Sequence, residues 1–310
     1  MNRKPPHAVL SDDRRTPGGA ASKPARDPAE PVGSGALAKR SLVAVLFVAA
    51  WIAIGLAGHF SPDAYVLVGM PLMLAFQRWV AGKPLRAAWV FDGTRLRWGW
   101  PTWLAGLAIA AGPGWLLLSQ LRSTPDDPSM PVHVLWCLAA MGGAFVGAAT
   151  LRAQHGASVL RATSLIVAVF ITGAMGMIAN KVTIHAGGFA LPSVGVSAGH
   201  ALTVALTFFG ISFVTEEVTF RGMLDPYLRE AARGPVQEVV SAMVGSALWG
   251  IWHLPVIAAT ATPDPRVIMY AVVFHAGLGV GLCLIARMVG TLAPTSIVHA
   301  LTDTLRESIR

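Results

Sequence analysis

Charge is scarce in this chain: Asp, Glu, Lys and Arg make up 13% of its 310 residues, about half the share usual in soluble domains. Cysteine is scarcer still. Cys137 and Cys283 are the only two, and each lies inside an apolar run. That excludes a disulfide framework and the paired-cysteine spacing of a zinc finger. No convincing repeat relates the two halves, which counts against the pseudo-symmetric architecture of many transporters. In the first half, ionisable residues are also missing from the middle of every apolar run. What remains is apolar: 54% of the residues are hydrophobic and the mean hydropathy is +0.57. A chain of this composition belongs in a membrane.

Residues 1–40 differ from the rest. They are rich in Pro, Gly, Ala, Arg and Lys without apolar periodicity, and they read as a disordered basic cytoplasmic tail. Arg14-Arg15 is not followed by an apolar core, so it does not read as a twin-arginine signal. Apolar segments of spanning length follow near 42–58, 64–80, 101–121, 132–150, 160–178, 201–224, 241–258, 267–287 and 291–305. They predict an all-α polytopic transmembrane helical bundle of eight or nine spans. Residues 41–199 hold the first helices, and residues 200–305 hold the core that carries chemistry. With the tail inside and the spans alternating, 19 Lys and Arg fall inside, eight in the tail, five in residues 78–97, then Arg152, Arg161, Arg221, Arg229, Arg233 and Arg287, against Arg122, Lys181 and Arg266 outside, while Arg306 and Arg310 close the chain. That asymmetry sets a cytoplasmic N-terminus. The net charge of +8 therefore reports topology, and no nucleic-acid partner is called for.

Residues 215–221 read Thr-Glu-Glu-Val-Thr-Phe-Arg at the end of an apolar run. An ionisable group at membrane depth costs roughly 2.5–3.5 kcal/mol even on insertion scales, so it marks a functional site by default. His253 interrupts another run, and His299 with Asp303 a third. A helical rise of 1.5 Å per residue puts Glu216, His253 and His299 at comparable depths, on the order of 12–18 Å below the inner face. Glu217 and Arg221 are four apart, in the favourable order for a structural ion pair. Glu216 projects elsewhere on the helix and is left for general-base work. Trp249 shares a face with His253, and His299 shares one with Asp303, a spacing at which a carboxylate orients an imidazole. His275 is also mid-span but belongs to no motif, and reads as packing. Asn180 and Lys181 read as interfacial, Trp98, Trp100 and Trp103 as an aromatic belt. Gly277, Gly279 and Gly281 read as close helix packing.

These residues resemble the CAAX-protease and bacteriocin-processing family, also called the Abi or CPBP family. Its three motifs have counterparts in Glu216-Glu217-Val-Thr-Phe-Arg221, Trp249-Gly-Ile-Trp-His253 and His299-Ala-Leu-Thr-Asp303. The resemblance covers roughly residues 200–305 and implies an intramembrane endopeptidase in a bacterial inner membrane. Its substrate would be a membrane-associated or prenylated-type protein or peptide. It implies that Glu216 and His253 activate a water and that His299 and Asp303 stabilise the oxyanion. Trp249 stands where the family usually has Phe, and Asp303 where Asn is common. An ionised Asp cannot donate to an oxyanion, so Asp303 is either protonated, or orients His299, or binds a metal. Glu216, His253 and His299 could hold Zn²⁺ with an open position, so a zinc-dependent and a glutamate-only mechanism both stay open. The reading from another class is a non-catalytic scaffold or a transporter that uses the same buried Glu and His groups.

Overall fold

The computed structural model describes residues 35–89, 96, 98–151, 163, 167, 169–171, 173–175, 197–260 and 265–308. Among them every regular element is helical: α1 (Ala36–Ala57), α2 (Pro62–Ala75), α3 (Trp100–Ser123), α4 (Met130–Leu151), α5 (Ala198–Ser212), α6 (Asp225–Arg229), α7 (Gly234–Trp252), α8 (Leu254–Thr260), α9 (Pro265–Val289) and α10 (Ala293–Ser308). Two stretches are wound as π-helix, Phe76–Val80 and Phe213–Leu224.

Among the described residues, six helical stretches are long and apolar enough to cross a membrane: Ala36–Ala57, Trp100–Ser123, Met130–Leu151, Ala198–Arg229, Gly234–Ala259 and Ile268–Val289. The expected eight or nine are not reached among the described residues. α2 runs on into the π-helical Phe76–Val80 without qualifying as one of the six, and α10 has 16 residues, short for a span of about 20. Most of the expected segment at 160–178 lies outside the described residues, as do Asn180, Lys181 and residues 1–34 of the expected tail. The first helix starts at Ala36, so Lys39 and Arg40, counted with the tail, sit on its first turn.

Local sequence explains several ends. Ser61 caps α2 by accepting from the Ala64 N–H at 3.3 Å, and Pro62 takes the first helical position, where its missing N–H costs nothing. Ser197 caps α5 in the same way, accepting from His200 at 3.2 Å. Gly290 between α9 and α10 has φ +76°, a conformation that favours glycine. It lets the chain reverse and brings α10 back alongside α5, where the Ser296 hydroxyl donates to the Phe209 carbonyl at 2.8 Å. α4 and α5 cross at Gly143 and Gly210. A Cβ on Gly143 would strike the Gly210 carbonyl, and one on Gly210 would strike the Ala140 carbonyl, so this contact requires residues without side chains.

The first two helices brace the second half. Tyr65 donates its hydroxyl to the Trp252 carbonyl at 2.9 Å, and Trp51 donates to the Tyr65 carbonyl at 3.2 Å. The rings of Trp51 and Tyr65 each stand 5.2 Å from that of Trp252. At one end of the bundle, Glu230 accepts from Arg40 of α1 at 2.9 Å and from Lys83. Arg287 of α9 donates from two nitrogens to Asp225, and to the Glu238 carbonyl at 2.9 Å. Trp98, Trp100 and Trp103 are exposed. Cys137 and Cys283 are buried, free and on different helices.

Candidate active site

The paired glutamates sit on the π-helical stretch Phe213–Leu224. Thr215 donates its hydroxyl to the Ile211 carbonyl at 2.6 Å, and Thr219 donates to the Thr215 carbonyl. Such back-bonding competes with the regular backbone ladder, and π-winding recurs at functional sites. Gly222 lies against the Ala88 carbonyl, with no room for a Cβ. This fixes the stretch against the turn at Leu85–Ala88.

His253 is the residue at which α7 ends, and Pro255 explains the break. Proline has no N–H for the Ile251 carbonyl and its ring crowds that turn. The Tyr65 hydroxyl meets the neighbouring carbonyl of Trp252. A histidine at such an end is held by backbone on one side and is free to face the bundle on the other. His299 and Asp303 come from the middle of α10 and are both buried.

The three motifs meet. Glu216 Oε2 lies 3.6 Å from His253 Nε2 and 3.7 Å from His299 Nε2. It also accepts the Trp249 indole N–H at 2.7 Å. Glu217, fully buried, uses Oε1 for two partners: Arg221 Nη1 at 3.3 Å and His299 Nδ1 at 2.9 Å. The Glu217–Arg221 pair is thus present, and it also orients His299. Asp303 Oδ2 stands 3.5 Å from His299 Nε2, and Asp303 Oδ1 is 3.2 Å from Arg306 Nη1.

The two imidazoles differ in their partners. His253 Nδ1 is 2.8 Å from the Trp249 carbonyl. A carbonyl only accepts, so this nitrogen donates, and in a neutral ring the lone pair is on Nε2, facing Glu216. His299 Nδ1 faces a carboxylate, and its Nε2 faces two more. His253 is therefore set up to accept a proton, and His299 to donate one.

Two residues matter more here than their sequence positions indicated. Trp249 ties the site together: its N–H holds Glu216, its carbonyl holds His253, and the Arg221 guanidinium lies over its ring at 4.0 Å. The spacing from Trp249 to His253 was visible, but the indole N–H bond crosses between helices. His275 of α9, expected to be packing, stacks on the His253 ring at 3.8 Å and meets Trp249 edge-on at 5.0 Å. Nothing in its local sequence marks it, because its neighbours come from another helix.

Among the described residues no group of three or more His, Cys, Asp or Glu side chains is arranged to hold a metal ion. Glu216, His253 and His299 do come together, with both Nε2 atoms facing a carboxylate oxygen that also accepts an indole N–H. A cavity of about 830 Å³, lined by Asp63, Trp115, His133, Trp136 and Phe208 among others, shares no residue with the three motifs.

Neither a curated protein nor a solved structure matches the chain. The family described as type II CAAX prenyl endopeptidase, Rce1-like, matches residues 198–305. That range begins at α5, contains all three motifs and ends two residues past Asp303. Six apolar helices and this match make the chain an integral membrane protein. Residues 198–305, in which two glutamates, two histidines and an aspartate converge within one bundle, are thus similar to the Rce1-like type II CAAX prenyl endopeptidases, in line with the resemblance of the motifs.

Proposed function

We propose that this protein is an intramembrane endopeptidase that cleaves membrane-associated peptides with a water activated by Glu216. The observation that carries the reading is the position of Glu216 Oε2, within 3.7 Å of the Nε2 atoms of both His253 and His299. A water bound beside that oxygen meets a carboxylate and a histidine lone pair at once. In the proposed step the water oxygen attacks the peptide carbonyl carbon, and its proton passes to Glu216. The oxyanion so formed accepts from His299 Nε2, whose ring is oriented by Glu217 at Nδ1. Collapse of the intermediate breaks the C–N bond, and the proton held by Glu216 goes to the leaving nitrogen. Asp303 serves His299 and does not touch the oxyanion.

The catalytic unit is residues 200–305, and the helices before it act as a brace, a division supported by the Tyr65 and Trp51 contacts to Trp252. A prenylated or otherwise membrane-anchored peptide suits a site set on membrane-crossing helices. The test is cleavage of lipidated and unlipidated peptides in detergent or liposomes, by wild type and Glu216→Gln, with and without chelator. Cleavage by the wild type alone, untouched by chelator, is expected, because general-base catalysis is worth about 10²–10⁴-fold. Undiminished turnover by Glu216→Gln would sink the assignment. Chelator sensitivity would overturn the metal-free mechanism.

A further inference from the structure

We propose that Arg306 is a positioning residue of this site: it holds the Asp303 carboxylate in the orientation that faces His299. Arg306 lies outside the three motifs, one turn beyond Asp303 on α10 and just past the matched range. Its Nη1 is 3.2 Å from Asp303 Oδ1, which leaves Oδ2 turned toward His299 Nε2 at 3.5 Å. The guanidinium is itself held in place. Nη2 donates to Glu307 Oε1 at 3.2 Å, and the group sits 5.8 Å from the centre of the Phe208 ring on α5.

Charge balance gives the reason. Three carboxylates, Glu216, Glu217 and Asp303, surround the His299 ring. Arg221 offsets Glu217. Asp303 has only Arg306 as a cationic partner apart from the imidazole among the described residues. Asp303 is nearly buried, with its side chain 12% exposed, and like charges close together at low dielectric repel strongly. Without Arg306, repulsion from Glu216 favours turning Asp303 out toward water, away from His299. His299 would then lose one of the contacts that fix its Nε2 side, the side that meets the oxyanion. The Arg306 side chain is half exposed, at 50%, so its replacement leaves no large buried cavity.

This role rests on the peptidase reading, and a double-mutant cycle separates the two. Asparagine has the shape of aspartate without its charge and needs no cation. Turnover of a cleaved lipidated peptide would be measured for wild type, Arg306→Gln, Arg306→Lys, Asp303→Asn and the double variant Asp303→Asn with Arg306→Gln. Arg306→Gln should lower kcat about tenfold with KM little changed, as for other coupled neighbours. Arg306→Lys should recover much of that loss. In the Asp303→Asn background, Arg306→Gln should change kcat by less than about twofold. An equal loss in both backgrounds, or a loss confined to KM, would overturn the role while leaving the protease reading intact. Wild-type turnover no greater than that of Glu216→Gln would overturn both.

Discussion

Replacing Trp249 by Phe tests the proposed arrangement most directly. The substitution keeps an aromatic ring beside Arg221 and His275 but removes the N–H that donates to Glu216 Oε2 at 2.7 Å. A hydrogen bond to a charged group contributes about 1.5–3 kcal/mol. Removal of that restraint lets the carboxylate rotate away from the His253–His299 midpoint. If the whole contribution acts on the reacting geometry, kcat should fall about 10- to 150-fold, at about 1.4 kcal/mol per tenfold. KM should move little, because in the proposed step Glu216 addresses the water and not the substrate. Stability should also fall. Trp249 is fully buried, the lost ring leaves a cavity, and Phe is a weaker cation–π partner than Trp for the guanidinium at 4.0 Å. The assay is steady-state cleavage of a lipidated peptide in liposomes, with thermal unfolding of the same preparations as the control. A folded Trp249→Phe protein with wild-type kcat would refute the idea that the indole positions Glu216.

Two further outcomes follow from the packing and the surface charges. Gly210→Ala places a Cβ against the backbone of Ala140, which cannot yield as a side chain tip would. Overpacking of this kind costs about 1–3 kcal/mol, so the unfolding midpoint in detergent should drop, and an unchanged midpoint would argue against so close a crossing. Glu230 is the acid-sensitive latch: burial acts to raise its pKa, but hydrogen bonds and charges from Lys83 and Arg40 outweigh this and hold it below the usual value. A depressed carboxyl stabilises the fold above its unfolded pKa of about 4.3, and that contribution is lost as pH falls through the folded value. Glu230→Gln should therefore flatten the acid limb of the stability-against-pH curve, and parallel curves for the two proteins would show that the latch contributes nothing.

The parts of the molecule that could be read from sequence were those with a strong local signature. Carboxylates and imidazoles inside apolar runs stand out because hydrocarbon tolerates few of them, and the i,i+4 spacings of Glu217 with Arg221 and His299 with Asp303 appear as close pairs. The span count was less legible. Hydropathy alone scored 64–80 and 291–305 as spans, whereas α2 gives way to π-winding at Phe76 and α10 has 16 residues with Asp303, Arg306 and Glu307 along it. The π-winding at Phe213–Leu224 was not legible either, because hydropathy records which residues are apolar and not how the backbone is wound. Trp249 and His275 were underrated for a different reason. Their partners lie on other helices, and lateral proximity leaves no trace in a single chain's spacing.

The site also shows how a membrane bundle carries several charges at once. A carboxylate at depth is costly unless every partner is in place, so the groups here form a connected set. Arg221 meets Glu217, Glu217 meets His299, His299 meets Asp303, and Asp303 meets Arg306. Arg221 Nε and Nη2 have no hydrogen-bond partner among the described residues, and the Trp249 ring lies under the flat face of the guanidinium at 4.0 Å. Glu216 differs from the other two carboxylates. Its partners are an indole N–H and two imidazoles at 3.6 and 3.7 Å, with no arginine among them. A carboxylate paired with a guanidinium is a poor proton acceptor, and Glu216 is the one of the three without such a pair. On the proposed mechanism, the same network that makes three acids tolerable in a membrane leaves Glu216, the one without a guanidinium partner, to take the proton from water.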